Sequence, residues 1–276
     1  MEPFLKWAGG KRWLVERGDF PVPSKYHQYC EPFVGSGAVL FSLNPERAMI
    51  SDVNQALIDT YKTLAASGCE VFDVLKDYDS RHCQDFYYSI RQSKPQDAIL
   101  KAARFIYLNR TCWNGLYRVN KKGQFNVPIG TKEHVLLSTD DFSSISKFLK
   151  KCRIYNRDFE QVINATKAGD FLFADPPYTV KHNNNGFVKY NEFMFSWEDQ
   201  VRLAQAVRKA ADRGVYVVVT NAMHDSIKEL YSGFTLRVLK RASVIAASSD
   251  RRGIYEEFLI TNISDTQKGL HHDHEA

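Results

Sequence analysis

Several things are scarce in this sequence, and each scarcity excludes a class of protein. No apolar run nears the ~18 residues of a membrane span; the densest, Val215 to Val219, is strand-sized. Met1-Glu2-Pro3-Phe4-Leu5-Lys6 lacks the basic start and apolar stretch of a secretion signal. The expectation is a protein of the cytoplasm with no membrane partner. Cysteine is sparse: Cys30, Cys69, Cys83, Cys112 and Cys152 are odd in number, and no two have the spacing of a zinc knuckle or redox site. Free thiols in a reducing compartment follow. Charge of one sign is not dominant either. Lys plus Arg number 37 against 32 Asp plus Glu, a net +5 that permits a nucleic-acid partner without demanding one. Internal repeats and low-complexity tracts are missing. His271, His272 and His274 lie in a tail (266–276) expected to fray, so no metal site is expected.

What is present is a folded chain of 276 residues, long enough at about 150 residues per domain for two domains, or one with an insertion. Tyr26–Glu31, Ala48–Ser51, Arg153–Asn156, Phe171–Ala174 and Tyr216–Thr220 read as short strands. Several are apolar at consecutive positions, as strands buried on both faces of a parallel sheet are. Val39–Leu43, Gln55–Ala66 and Trp197–Ala211 read as helices between them, which predicts a doubly wound α/β domain. Thr235–Ile245 and Tyr255–Asn262 read instead as an antiparallel hairpin at one edge of the sheet. The stretch from about 56 to 137 breaks the alternation. It looks mostly helical, with a second hairpin turning at Lys121–Gly123, and predicts an inserted module.

Three places carry chemistry. Glu31-Pro32-Phe33-Val34-Gly35-Ser36-Gly37 follows a predicted strand and opens a predicted helix, and its glycines let backbone approach a ligand closely. The third glycine of a dinucleotide fingerprint is missing, since position 40 is Leu, so a pyrophosphate is not the favoured ligand. Asp52 ends the next strand, where a carboxylate either accepts from ribose hydroxyls or caps the helix beginning near Gln55. Asp175-Pro176-Pro177-Tyr178 follows the apolar strand Phe171–Ala174 directly. The prolines remove two backbone donors and stiffen the loop. An acid, a peptide oxygen and an aromatic ring are left at the carboxyl end of a strand, where open α/β sheets bind ligands.

These motifs occur in a fixed order with others: Phe4-Leu5-Lys6-Trp7-Ala8-Gly9-Gly10-Lys11, Asn109-Arg110-Thr111-Cys112-Trp113-Asn114-Gly115-Leu116 and Phe125-Asn126-Val127-Pro128-Ile129-Gly130. Over most of its length the chain resembles the Dam-like DNA adenine-N6 methyltransferases. The resemblance implies a Rossmann-like methyltransferase sheet with an antiparallel C-terminal hairpin and an inserted, mostly helical target-recognition domain. It places the catalytic domain at 1–55 and 138–265 and the insert at 56–137.

It also implies S-adenosylmethionine as cofactor, with Trp7 and Lys11 at its methionine end and Phe33, Gly35 and Gly37 in the cofactor loop. Asp52 would hold the ribose, Asp158 and Phe159 would meet the adenine, and Asp175 would border the cofactor. Catalysis would fall to Asp175, Pro176, Pro177 and Tyr178, acting on an adenine flipped out of duplex DNA. DNA contacts are expected from Lys6, Arg110, Asn114, Tyr117, Arg118, Asn120, Lys121, Lys122, Asn126, Pro128 and Lys132.

The family's best known site is GATC, and it is the leading expectation here. One departure bears on it: GATC-specific relatives usually carry an arginine soon after the Asn-Val-Pro-x-Gly segment, whereas Gly130 is followed by Thr131, Lys132, Glu133 and His134. Lysine lacks the bidentate fork that reads guanine. The other readings are methylation of another planar amine (RNA adenine, cytosine N4 or a protein glutamine) and a DNA-binding relative without catalysis. The insert argues for duplex DNA, and the intact motifs argue for catalysis. The expected protein is a monomer, with a restriction endonuclease for the same site as the partner the resemblance allows.

Overall fold

The computed structural model describes residues 1–7, 9–115, 117–120, 123–180, 195–242, 254–264 and 267. In chain order the elements are α1 (Arg12–Glu16), β1 (Tyr29–Glu31), α2 (Ala38–Leu43), β2 (Ala48–Ser51), α3 (Gln55–Ser80), α4 (Gln84–Gln92), α5 (Ala98–Thr111) and α6 (Phe142–Leu149). They continue with β3 (Cys152–Tyr155), α7 (Phe159–Asn164), β4 (Phe171–Ala174), α8 (Trp197–Asp212), β5 (Tyr216–Ala222), α9 (Asp225–Leu230), β6 (Thr235–Ala242) and β7 (Ile254–Thr261). The chain is mixed α/β with a seven-stranded sheet, as its alternating pattern predicts. It divides into two compact units: Met1–Phe20 with Val34–Arg157, and Pro21–Phe33 with Asp158–Ala276.

In the first unit β2 and β3 pair in parallel, Ala48 opposite Cys152 and Ser51 opposite Tyr155. Every residue of β2 is buried, and Ala48, Met49 and Ile50 are apolar in succession before Ser51. Helix α3 starts at Asn54, whose side chain accepts the Leu57 N–H, and runs well past the predicted end at Ala66. It breaks at Ser67 (φ −138°, ψ 46°) and resumes. The break has a local cause. Gly68 lies against α6 so closely that a Cβ there would come within 2.8 Å of the Phe142 carbonyl. The Ser146 hydroxyl donates to the Ala65 carbonyl (3.1 Å) beside the break. An aromatic cluster of Phe4, Phe41 and Tyr61 fills this unit, with Phe4 and Tyr61 edge to face at 4.9 Å.

In the second unit the strand order is β1-β4-β5-β7-β6. β1, β4 and β5 are parallel, Tyr29 opposite Phe171 and Phe171 opposite Tyr216. β7 turns the pattern antiparallel against β5, and β6 pairs antiparallel with β7. The C-terminal hairpin strands are therefore present; the predicted connection 246–253 lies outside the described residues. Helix α8 opens with a reciprocal cap between Ser196 and Asp199, a stable start for the helix that carries Gln200 and Arg202.

Candidate active site and nucleic-acid interface

The glycine loop of the first unit is built from backbone. Gly35 (φ +46°) and Gly37 (φ +68°) take left-handed conformations that L side chains resist. Space forbids a side chain too: a Cβ on Gly35 would sit 2.8 Å from the Trp7 ring, and one on Gly37 2.8 Å from the Tyr61 hydroxyl. Tyr61 donates that hydroxyl to the Gly35 carbonyl (3.0 Å). Asp52 accepts the Gly35 N–H on one carboxylate oxygen (3.2 Å) and the Asn54 N–H on the other (2.9 Å). Asp52 thus ties the loop to the end of β2, while Asn54 caps the helix. Burial raises the Asp52 pKa above the ordinary carboxylate value, opposed by those backbone N–H groups. Lys11 is buried, with its ammonium donating to the Gly9 carbonyl (2.9 Å). Trp7, Lys11, Gly35, Gly37 and Asp52 all belong to this unit.

The loop after β4, in the second unit, is built from side chains. Asp175 Oδ1 accepts the Thr220 hydroxyl at 2.6 Å and lies 3.3 Å from the Tyr178 hydroxyl. Tyr178 makes a shorter bond, 2.7 Å, to Glu257 Oε2. Buried Gln200 donates to the Pro177 carbonyl (3.1 Å), and its own oxygen accepts from buried Asn221 (2.9 Å). The second proline carbonyl is thereby pinned, while none of the described residues donates to the Pro176 carbonyl. Burial, then the nearby Asp175 and Glu257 carboxylates, push the Tyr178 phenol pKa well above its usual value, so it is a donor throughout the working pH range.

Phe33, Asp158 and Phe159 are also in this unit. The Phe33 and Phe159 rings stack at 5.4 Å with Phe195 edge-on to Phe33. Asp158 caps α7 through the Glu160 N–H (2.9 Å) and pairs with Arg202 (3.0 Å), whose guanidinium lies over Phe159.

Sequence motifs had not singled out Thr220, Gln200, Asn221, Glu257, Phe195 or Arg202. The one available signal was the acid pair Glu256-Glu257 inside a strand that ends in Phe258, Leu259 and Ile260 before Thr261.

The expected DNA-contacting residues that the structure describes are all in the first unit. Beyond α5 the chain makes a short 3-10 turn, Trp113–Gly115, with Asn114 left-handed (φ 55°) and Trp113 51% exposed. Buried Asn109 holds this turn to the N-terminal motif: its amide donates to the Lys6 and Gly115 carbonyls and its oxygen accepts the Lys6 N–H. The predicted hairpin is present, with Val119 opposite Phe125 and Cys112 opposite Ile129 as antiparallel bridges. Arg118, Asn126 and Pro128 are exposed on it and Asn120 is half-exposed, with the Arg118 guanidinium donating to the Asn126 side chain (3.2 Å). Lys121 and Lys122 lie outside the described residues.

Lys6 and Lys132 are exposed, and the Lys6 pKa is lowered by partial burial first and then by the positive charges of Lys132 and Arg110. Tyr117 engages its ring within the protein, against Trp7, Phe105 and Phe125. A cleft of about 960 Å³ beside the hairpin is lined by Lys62, Arg91, Lys94, Lys101 and Arg104 among others, with Asp59 as its acid.

Arg110 requires a correction. It does not reach a DNA-facing surface: it is 3% exposed and forms a bidentate pair with Asp140, both bonds 2.6 Å. The same guanidinium donates to the Phe4 and Val135 carbonyls at 3.0 Å. Four of its five donors hold α5 to the N-terminal segment and to the stretch Val135–Asp140, which is a folding role. Among the described residues no helix is long and apolar enough to cross a membrane, and no cluster of three His, Cys, Asp or Glu is arranged to hold a metal ion.

The chain matches known proteins along nearly all of its length. It is 35% identical over 271 residues to the Type II methyltransferase M1.LlaDCHI of Lactococcus lactis subsp. cremoris, covering 95% of each chain. It is 36% identical over 287 residues to the Type II methyltransferase M.MjaIII of Methanocaldococcus jannaschii, covering 95% of this chain and 99% of that one. A DNA adenine methylase of Vibrio cholerae is 30% identical over 261 residues, covering 93% of this chain and 94% of the relative. The family model for D12 class N6 adenine-specific DNA methyltransferases matches residues 7–245. With the glycine loop, the Asp-Pro-Pro-Tyr loop and this match in place, the chain belongs to the D12 class of N6 adenine-specific DNA methyltransferases.

Proposed function

We propose that this methyltransferase uses S-adenosylmethionine, acts on an adenine flipped out of a short duplex site, and takes GATC as its leading target. The observation that carries the reading is the Asp175 loop, an acid fixed by Thr220 beside a Pro176 carbonyl left unengaged by the described residues. The residue chemistry fits the cofactor. Asp52 is an acceptor suited to ribose hydroxyls, Lys11 a cation suited to a carboxylate, and Phe33 and Phe159 offer aromatic faces to a purine. To these we add Trp7, Gly35 and Gly37, whose crowded backbone admits no side chain, and Asp158. When bound, S-adenosylmethionine supplies an electrophilic methyl group on a positively charged sulfur.

The chain's own residues would supply the rest. Extruding the adenine costs about a few kcal/mol. In the pocket, the Asp175 carboxylate and the Pro176 carbonyl each accept a hydrogen bond from one N–H of the exocyclic amine. This weakens the conjugation of the nitrogen lone pair with the ring and makes it available as a nucleophile. Tyr178 stacks on the extruded base. Because the acceptors are fixed before substrate arrives, catalysis is mainly positioning and electrostatics.

Target recognition is assigned to the 56–137 module, through Arg118, Asn120, Asn126 and Pro128 of the hairpin with Lys121 and Lys122 at its turn. Lys6, Asn114, Tyr117 and Lys132 join them, Lys132 taking on part of the work of the arginine that GATC-specific relatives usually carry soon after the Asn-Val-Pro-x-Gly segment. Residues 1–55 and 138–265 form the catalytic domain in this reading. The enzyme acts as a monomer, alongside a restriction endonuclease that cuts the same site. Incubation with radiolabelled S-adenosylmethionine and duplex DNA, single-stranded RNA or protein, followed by sequencing that reads methylated positions, tests this. N6-methyladenine in duplex DNA at one short motif is the expected result; label on cytosine, RNA or protein alone overturns it.

A further inference from the structure

Glu257 is 5% exposed on β7, opposite Ala222 of β5, the strand that also carries Thr220. Its strand neighbours Leu259 and Ile260 are fully buried. A carboxylate placed so deep is costly unless hydrogen-bonded, so its partner matters. One such partner is the Tyr178 hydroxyl, at 2.7 Å. A phenol has one proton to give, and here two carboxylates stand within reach, Glu257 at 2.7 Å and Asp175 at 3.3 Å. The shorter contact, in the range of a charge-assisted bond, takes the proton. Asp175 Oδ1 then draws its donor from Thr220, at 2.6 Å.

We propose that Glu257 is a positioning residue for methyl transfer: by accepting the Tyr178 hydrogen bond it anchors the stacking ring and turns that donor away from Asp175, leaving the catalytic carboxylate an acceptor for the substrate amine. Without an acceptor at position 257, the phenol turns to Asp175 Oδ1 and competes with the very group Asp175 must bind. The proposal rests on the reading of Asp175 and Tyr178 as catalytic, but concerns a residue outside both loop motifs.

The test is a double-mutant cycle in single-turnover and steady-state assays on duplex DNA. Glu257→Met removes the acceptor while keeping a side chain of similar volume. It is expected to lower kcat at least about tenfold with KM for DNA and the S-adenosylmethionine dissociation constant within about twofold. Glu257→Gln, which still offers an oxygen, is expected to keep kcat within about threefold of wild type. Because Glu257 acts through the phenol, Glu257→Met added to Tyr178→Phe should change kcat by less than about twofold. Wild-type kcat in Glu257→Met, a loss confined to KM, a large loss in Glu257→Gln, or a full further loss on the Tyr178→Phe background each overturns the proposal. Asp175→Ala, assayed alongside, separates the two levels: an active Asp175→Ala enzyme defeats the underlying reading, whereas an inactive one beside an unaffected Glu257→Met enzyme defeats this inference alone.

Discussion

The loop Val34–Gly37 and the loop Asp175–Tyr178 are made of different materials. In the first, two glycines in left-handed conformations, an N–H held by Asp52 and a carbonyl held by Tyr61 define the shape, and side chains are excluded by Trp7 and Tyr61. In the second, proline rings fix the backbone and the rest is a web of side chains reaching in from β5, α8 and β7. The first kind of loop is sensitive to added bulk and the second to lost partners. A cofactor that needs close approach to backbone suits the former, and a reacting amine that needs fixed acceptors suits the latter.

Mutations that add bulk in one place and remove partners in the other sharpen the contrast. The largest stability effect is expected from Gly35→Ala. A left-handed conformation costs an L residue roughly 1–2 kcal/mol, and forcing aside the Trp7 ring adds about 1–3 kcal/mol. Urea unfolding should show the sum, together with weakened cofactor binding by calorimetry; an unchanged midpoint would mean that the loop is not set by its backbone. Gln200→Ala comes next. It frees the Pro177 carbonyl and strands the buried Asn221 amide, at a cost of about 1–3 kcal/mol, and should lower kcat while leaving cofactor affinity intact. The smallest effect is expected from Gly123→Ala at the hairpin, where φ is +72° but, among the described residues other than its chain neighbours, no atom lies within 4 Å of the added Cβ. Only the conformational cost of about 1–2 kcal/mol remains there, and a loss as large as that of Gly35→Ala would erase the distinction.

The same contrast explains how much was legible in the sequence. β4 was readable to the residue because burial on both faces leaves an unbroken apolar run, and β2 because three consecutive apolar residues end at Ser51. The continuation of α3 beyond Ala66 was not, since the break at Ser67 depends on α6, some eighty residues later. The glycine loop and the Asp-Pro-Pro-Tyr loop announce themselves because their function needs unusual residues in immediate succession. Thr220, Gln200, Asn221 and Glu257 do not, because ordinary residues were brought to the loop by strand register and helix packing. Arg110 failed in the opposite direction. It stands in a motif rich in groups suited to DNA, but Asp140, thirty residues on, claims its guanidinium and turns it inward.

The central claim concerns the carboxylate at the end of β4, and Asp175→Ala addresses it most directly. The variant should bind its duplex target and S-adenosylmethionine with affinities close to wild type. In a single turnover its methyl transfer should fall by on the order of 10²–10³-fold or more. Transfer at the wild-type rate by a folded Asp175→Ala protein would contradict the account.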